Sequence, residues 1–175
     1  PLEMFYQWEE THPETVYLKQ PIDGVIKDFT WRETGQQARK VAASLLAMDL
    51  PKGSHIAILS KNCAEWFIAD LAIMLAGHVS VPIYSTAGQK TIQYVLDHAK
   101  CPVIFVGKLD NTEKQVAAIN DGVHKLAFPY PNIPADKQWD ELLQAIPFLE
   151  KPVPALDSVM TIVYTSGSTG NPKGV

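Results

Sequence analysis

Four short apolar runs set the frame of this chain: His55–Leu59, Val79–Ile83, Pro102–Val106 and Val123–Phe128. Each is separated from the next by a stretch whose apolar residues recur at helical spacing. Strands that alternate with helices are joined by crossovers, and crossovers favour parallel pairing with helices laid on the sheet faces. The expected class is therefore α/β: a largely parallel sheet flanked by helices on both sides. A central strand must be paired on both edges, so the last apolar run, Met160–Tyr164, is expected to insert among the earlier strands.

Local signals place the elements. Residues 1 to 14 carry Phe5, Tyr6 and Trp8 among acidic neighbours and read as an amphipathic helix ended by Pro13. Val16–Lys19 and Val25–Phe29 alternate in polarity around Asp23-Gly24, a hairpin whose loop is expected to exceed the tightest type. Thr30-Trp-Arg-Glu33 has the pattern of a capping box, in which a hydroxyl and a carboxylate satisfy first-turn amides. Behind it Ala38, Val41, Ala42, Leu45 and Leu46 form one apolar face, interrupted by Gly35. Asn62 with Glu65 forms another N-cap pattern ahead of an apolar helix, Cys63–Ala76, which Gly77 ends. Pro82 places its strand near a sheet edge. Helices are expected over Gln89–Lys100, more weakly over Leu109–Asn120, and over Trp139–Ile146, with prolines at 147–154 marking an extended connector within one layer.

Composition excludes several classes. Hydrophobic residues are 46% and charged residues 19%, with a net charge of −4 and no basic run, so no nucleic-acid footprint is present. The longest strongly apolar stretch, Trp66 to Ala76, contains Asp70 and is too short to span a bilayer. No signal-peptide pattern is visible behind Pro1. Cys63 and Cys101 lack metal or redox spacing and read as buried cytosolic thiols. The five histidines form no His-Glu-x-x-His pair, which argues against a zinc site.

Chemistry concentrates at the end of the chain. The strand Met160–Tyr164 runs into Thr165, Ser166, Gly167, Ser168, Thr169 and Gly170, with Lys173 just beyond. Glycines let backbone N–H groups turn inward, and a turn of inward amides makes an anion site. Hydroxyls add rotatable donors and Lys173 a mobile positive charge. The parts describe a cradle for a polyphosphate. It is not a Walker A loop, because the residue after Lys173 is Gly174 where that loop needs Ser or Thr. A flexible Gly/Ser linker is the competing reading, and the preceding β-branched strand and the closing Pro-Lys-Gly count against it. A second hydroxyl-rich loop, Tyr84-Ser-Thr-Ala-Gly88, follows a strand's C-terminal end, where open α/β sheets bind ligands. Ser85 and Thr86 equally suit capping of the next helix.

The stretch Tyr164-Thr-Ser-Gly-Ser-Thr-Gly-Asn-Pro-Lys-Gly-Val175 resembles, at every position, the phosphate-binding signature of adenylate-forming enzymes: acyl-CoA synthetases, luciferases and peptide-synthetase adenylation domains. Phe29-Thr-Trp-Arg-Glu33, Pro51–Ile58, Asn62-Cys-Ala-Glu-Trp66 and Ala76–Pro82 resemble further landmarks of that family. Tyr84-Ser-Thr86, Tyr94-Val-Leu96 and Trp139-Asp-Glu-Leu142 are similar to its long-chain fatty acyl-CoA ligase branch. The resemblance implies that residues 1–175 are the first portion of the N-terminal AMP-binding domain of an ATP-dependent acyl-CoA ligase, with the remainder of that domain and the C-terminal domain beyond Val175. It implies ATP and Mg²⁺ as cofactors, CoA as co-substrate and a fatty acid as the activated partner. By the same resemblance Thr165, Ser166, Gly167, Ser168, Thr169 and Gly170 wrap the terminal phosphates, Thr165 lies near Mg²⁺, and Lys173 reaches the phosphates and acts with Thr165 in catalysis. Tyr164 is expected to be the packed end of the strand.

The resemblance further implies a cytoplasmic protein that meets a membrane surface, although no basic amphipathic helix supports that contact; oligomeric state is open. Alternatives are another adenylate-forming enzyme (an aryl-CoA or acyl-ACP ligase, or a peptide-synthetase adenylation domain) and a non-catalytic nucleotide-binding domain. The family's adenine, ribose, hinge and C-terminal catalytic positions have no counterpart in these residues. The 175-residue chain by itself is therefore expected to make neither acyl-adenylate nor thioester; acyl-AMP formed by that chain alone, followed by mass spectrometry, would contradict this.

Overall fold

A computed structural model of the chain describes residues 1–165 and 171–175. The elements run α1 (Leu2–Thr11), β1 (Val16–Ile22), β2 (Val25–Thr30), α2 (Trp31–Leu46), β3 (His55–Leu59), α3 (Ala64–Leu75), β4 (Val79–Ile83), α4 (Gln89–Ala99), β5 (Val103–Val106), α5 (Thr112–Val116), β6 (His124–Ala127), β7 (Lys137–Gln138), α6 (Trp139–Leu142), β8 (Tyr164–Thr165) and β9 (Lys173–Gly174). Five strands form one sheet in the order β4-β3-β5-β6-β7, every pair parallel. Alternate strand residues feed two cores. Ile56, Ile58, Val103 and Phe105 pack under α1, α2, α3 and α6. Ala57, Leu59, Ile104 and Val106 pack under α4 and α5. The expected α/β class, with helices on both faces, is what the chain adopts.

The hairpin β1–β2 is a separate antiparallel ribbon. Its turn is tighter than expected. Pairing continues to Ile22↔Val25, leaving Asp23 and Gly24 as a two-residue loop with φ of 48° and 81°. Positive φ at both central residues is the turn whose twist matches that of the flanking strands. Phe29 anchors the ribbon in the first core at 2% exposure.

The capping box at α2 forms as expected: Glu33 N donates to Thr30 Oγ1 at 3.1 Å, and Thr30 N donates to Glu33 Oε2 at 2.8 Å. Ala38, Val41, Ala42 and Leu45 are fully buried, whereas Leu46 turns out to solvent. A Cβ at Gly35 would collide with the Glu9 carboxylate, so this glycine lets α1 approach α2. There Glu9 and Arg39 form a two-pronged, mostly buried ion pair at 2.6 Å, the geometry that repays desolvation of both charges.

The second expected cap is corrected. α3 starts at Ala64 after Cys63, and Asn62 caps nothing. Its first amide is satisfied from far away: Ala64 N donates to Oε1 of buried Gln20 on β1 at 3.0 Å. The Leu109–Asn120 helix is reduced to α5, the Trp139–Ile146 helix to α6, and the edge strand β7 had no counterpart in the expected elements.

The final strand is also corrected. It does not insert among the others but lies outside β4, through one parallel bridge, Ser80↔Thr161. Ser80 N donates to Met160 O and Ile162 N to Ser80 O, both at 2.9 Å. The next rung would require an N–H at Pro82, which has none, so the ladder stops after one step. Tyr164 and Thr165 instead turn to pair antiparallel with Gly174 and Lys173. No helix among the described residues is long and apolar enough to cross a membrane.

Asp70, on α3, carries one of the few buried polar atoms without a hydrogen-bond partner among the described residues. Burial pushes its carboxyl above the usual carboxylate range. Asp70 Oδ1 and Ser80 Oγ have no hydrogen-bond partner among the described residues. A carboxyl with a raised folded-state pKa binds its proton more tightly folded than unfolded. Its stabilisation is complete below the ordinary carboxylate value and is lost as pH rises through the raised one. Asp70→Asn, which cannot ionise, should raise the urea midpoint at pH 7 and flatten that fall, the two proteins converging in acid. A lower midpoint at pH 7 would mean that the carboxylate is stabilised in the fold.

Candidate functional site

The order β4-β3-β5 reverses direction at β3, and open α/β sheets bind ligands where the order reverses, beyond the C-terminal strand ends. In this chain the crevice between β3 and β5 is closed. Gly107 N donates to Leu59 O, Lys61 N to Lys108 O, and Lys108 N to Ser60 Oγ at 2.9 Å. Lys61 and Asp110 form an ion pair over the top. A Cβ on Gly107 would run into Phe128 and Ser60, so the seam closes only because residue 107 is glycine.

Open space lies one strand over. A cleft of about 400 Å³ is lined by Ser60, Asn62, Trp66, Tyr84, Ser85 and Val163 among others. A neighbouring cleft of about 320 Å³ is lined by Tyr84, Thr86, Thr91, Val95, Tyr164 and Pro172 among others. Tyr84, 63% exposed, stands between the two. The hydroxyl loop after β4 thus faces both clefts, and its capping role is not realised: α4 is preceded by Gly88, with no side-chain cap. The loop is held from below by buried Gln115, whose Nε2 donates to Ser85 O at 2.8 Å and Ala87 O at 3.1 Å. A larger cleft of about 770 Å³ beside α1 and α2 mixes carboxylates with Arg32, Arg39 and Lys40 and lies away from these strand ends.

The hairpin β8–β9 stands at the same end of the sheet. Thr165 and Lys173 are directly opposed in its register and both are exposed. Val163 and Val175 exchange both backbone hydrogen bonds at 2.9 Å and close its base. Ser166, Gly167, Ser168, Thr169 and Gly170 lie outside the described residues. Tyr164 is the packed strand end expected of it, at 5% exposure, with its hydroxyl 2.6 Å from His98 Nδ1. His98 and Gln115 were missed as supporting residues; the Tyr94/His98 spacing of one helical turn was the only local hint of the former.

The other titratable groups do not add chemistry here. Burial pushes the Cys101 thiol up to about 12 and also raises Cys63. Both are free and buried, so neither is a thiolate nucleophile at neutral pH. No group of His, Cys, Asp or Glu among the described residues is arranged to hold a metal. Thr165, a neutral exposed oxygen, suits one position in the oxygen shell of Mg²⁺.

The fold defines an open α/β domain with clefts at the C-terminal end of β4, and comparison with known proteins is more specific. Residues 5–175 match the AMP-binding enzyme family. The chain belongs to that family of adenylate-forming, AMP-producing ligases. It is 32% identical over 184 aligned residues to the long-chain-fatty-acid–CoA ligase FadD15 of Mycobacterium tuberculosis, covering 98% of this chain and 30% of that protein. It is 33% identical to fatty acyl-CoA synthetase A of Dictyostelium discoideum, covering 87% and 25%. The fold superposes on the anthranilate CoA ligase AuaEII with a TM-score of 0.87 at 19% identity, covering 99% of this chain and 33% of that one. It also superposes on the NpsA N-terminal subdomain of Klebsiella oxytoca with a TM-score of 0.75 at 28% identity, covering 99% and 40%. The chain thus spans about 30% of the length of the FadD15 ligase.

Gly107→Ala should destabilise the chain by about 2 kcal/mol, the usual cost of overpacking a filled seam, read as a lower urea midpoint with unchanged slope. An unchanged midpoint would show spare room between β3 and β5.

Proposed function

We propose that residues 1–175 are the first portion of the N-terminal AMP-binding domain of an ATP-dependent ligase that activates a long-chain fatty acid as acyl-adenylate and transfers it to CoA. The observation that carries this reading is the 32% identity to a long-chain-fatty-acid–CoA ligase across 98% of the chain, with the Tyr164–Val175 signature unbroken. In this reading Thr165, Ser166, Gly167, Ser168, Thr169, Gly170 and Lys173 bind the terminal phosphates of ATP. Tyr84 and Ser85 line a cleft at the same end of the sheet. The protein is cytoplasmic and meets its lipid substrate at a membrane surface.

In the proposed reaction the carboxylate oxygen attacks the α-phosphorus of ATP. The bond from that phosphorus to the bridging oxygen breaks, and pyrophosphate leaves with the electron pair. Negative charge grows on the departing group, so a cation held opposite a hydroxyl across a short ladder stabilises the transition state more than the ground state. Lys173 supplies that charge and Thr165 the hydroxyl. Bound Mg²⁺, with Thr165 as one of its oxygen ligands, would supply further charge neutralisation. No residue of this chain is needed as a base, because the attacking carboxylate is already ionised. CoA thiol then displaces AMP from the mixed anhydride, a step these residues do not serve.

A second reading, an adenylation domain for aryl acids, draws on the 28% identity to NpsA, whose N-terminal subdomain has been solved in complex with 3-hydroxybenzoyl-AMSN. The test uses the protein encoded by the whole reading frame that contains this chain. ATP–pyrophosphate exchange should be stimulated by long-chain fatty acids over benzoate-type acids, and Lys173→Ala should lower it on the order of 10²-fold. Preference for aryl acids would favour the second reading; no exchange with either class would reject both.

A further inference from the structure

We infer that His98 is a positioning residue for the Thr165–Lys173 pair, acting through Tyr164. The inference rests on the function proposed above for its catalytic consequence, and on geometry alone for the anchoring.

The hairpin β8–β9 has little to hold it in place. Its two paired strands are two residues long, extended at the base by Val163 and Val175, and an isolated two-stranded ribbon is marginal in water. Among the described residues its backbone link to the main sheet is the bridge at Thr161, because Pro82 ends the ladder there. Among the described residues, the Tyr164 side chain adds a further tether. Its hydroxyl lies 2.6 Å from His98 Nδ1 on α4. The two rings meet edge to face, centroids 5.7 Å apart at 89°. Tyr94, one turn earlier on α4, stacks against His98 at 5.4 Å and 23° and limits its rotation.

The other side of the Tyr164 ring bears on the returning strand. A Cβ at Gly174 would sit 3.2 Å from Tyr164 Cζ and 3.0 Å from Ile162 Cγ2. The ring is thus wedged between α4 and β9. Because Tyr164 pairs with Gly174 and Thr165 with Lys173, fixing the ring fixes the next rung. A hydrogen bond on an otherwise exposed helical histidine thereby sets where the hydroxyl and the ammonium stand relative to the sheet.

The experiment compares Tyr164→Phe, His98→Leu and His98→Asn in the protein encoded by the whole reading frame. Asn places a polar atom where Nδ1 stands, so it is the rescuing variant. Two readouts are taken: amide hydrogen exchange of residues 163–165 and 173–175 without ligand, and KM for MgATP against KM for the acid in pyrophosphate exchange. Tyr164→Phe and His98→Leu should each speed hairpin exchange and raise KM for MgATP about threefold to tenfold, the worth of one hydrogen bond. The KM for the acid should stay put, His98→Asn should lie near the parent, and the double variant should be no worse than either single one. Unchanged hairpin exchange in both variants overturns the inference. So does faster exchange with an unchanged KM for MgATP, and so does His98→Asn behaving like His98→Leu. A parent without ATP-dependent activity rejects the proposed function, while hydrogen exchange still decides whether His98 holds the hairpin.

Discussion

A parallel sheet has nowhere to show water an apolar face, because its crossovers lie on both sides. β3 and β5 carry this constraint. Their residues alternate between two cores, and Ile56, Ile58, Val103 and Phe105 on one side are as fully buried as Ala57, Leu59, Ile104 and Val106 on the other. Everything that positions the site follows from keeping those two strands dry and adjacent. The strand ends must be sealed, so Ser60, Gly107 and Phe128 close the crevice between them. Ligand space is displaced to the β3–β4 end, where Pro82 prevents the next strand from pairing fully.

Polar groups follow the same logic. The buried amides at element ends find partners across the chain. Gln20 reaches from the hairpin to the start of α3, and Gln115 from α5 to the loop after β4. A buried amide left alone would cost roughly 1–3 kcal/mol, so these long-range caps bind peripheral elements to the core. Asp70 Oδ1 lacks such compensation among the described residues, as do the Thr34 and Ser80 hydroxyls and His78 Nδ1.

Of the candidate site, the described residues place Thr165 opposite Lys173 on a short ribbon. Their usefulness depends on that ribbon being aimed correctly. Among the described residues the sheet contributes one bridge to this ribbon, and a tyrosine held by a histidine adds a further tether. In the function proposed above that aim has a purpose, since a departing pyrophosphate is stabilised mainly by positioned charge.

The sequence by itself determined the layer plan, the burial of α2 through Ala38, Val41, Ala42 and Leu45, the capping box at Thr30 and Glu33, and the polar composition of the loop from Thr165 to Lys173. These are local signals, written within one or two turns of chain, where spacing alone dictates which face an apolar residue takes. Tertiary structure decided what local spacing cannot encode. It chose Gln20 over Asn62 as the partner of α3, tightened the Asp23–Gly24 turn by extending both strands, and sent the final strand to the outside of β4. It also joined His98 to Tyr164 across 66 positions. Each of these is a choice between partners distant in sequence. It is settled by which groups the packed core leaves within hydrogen-bonding reach and which it leaves without a donor.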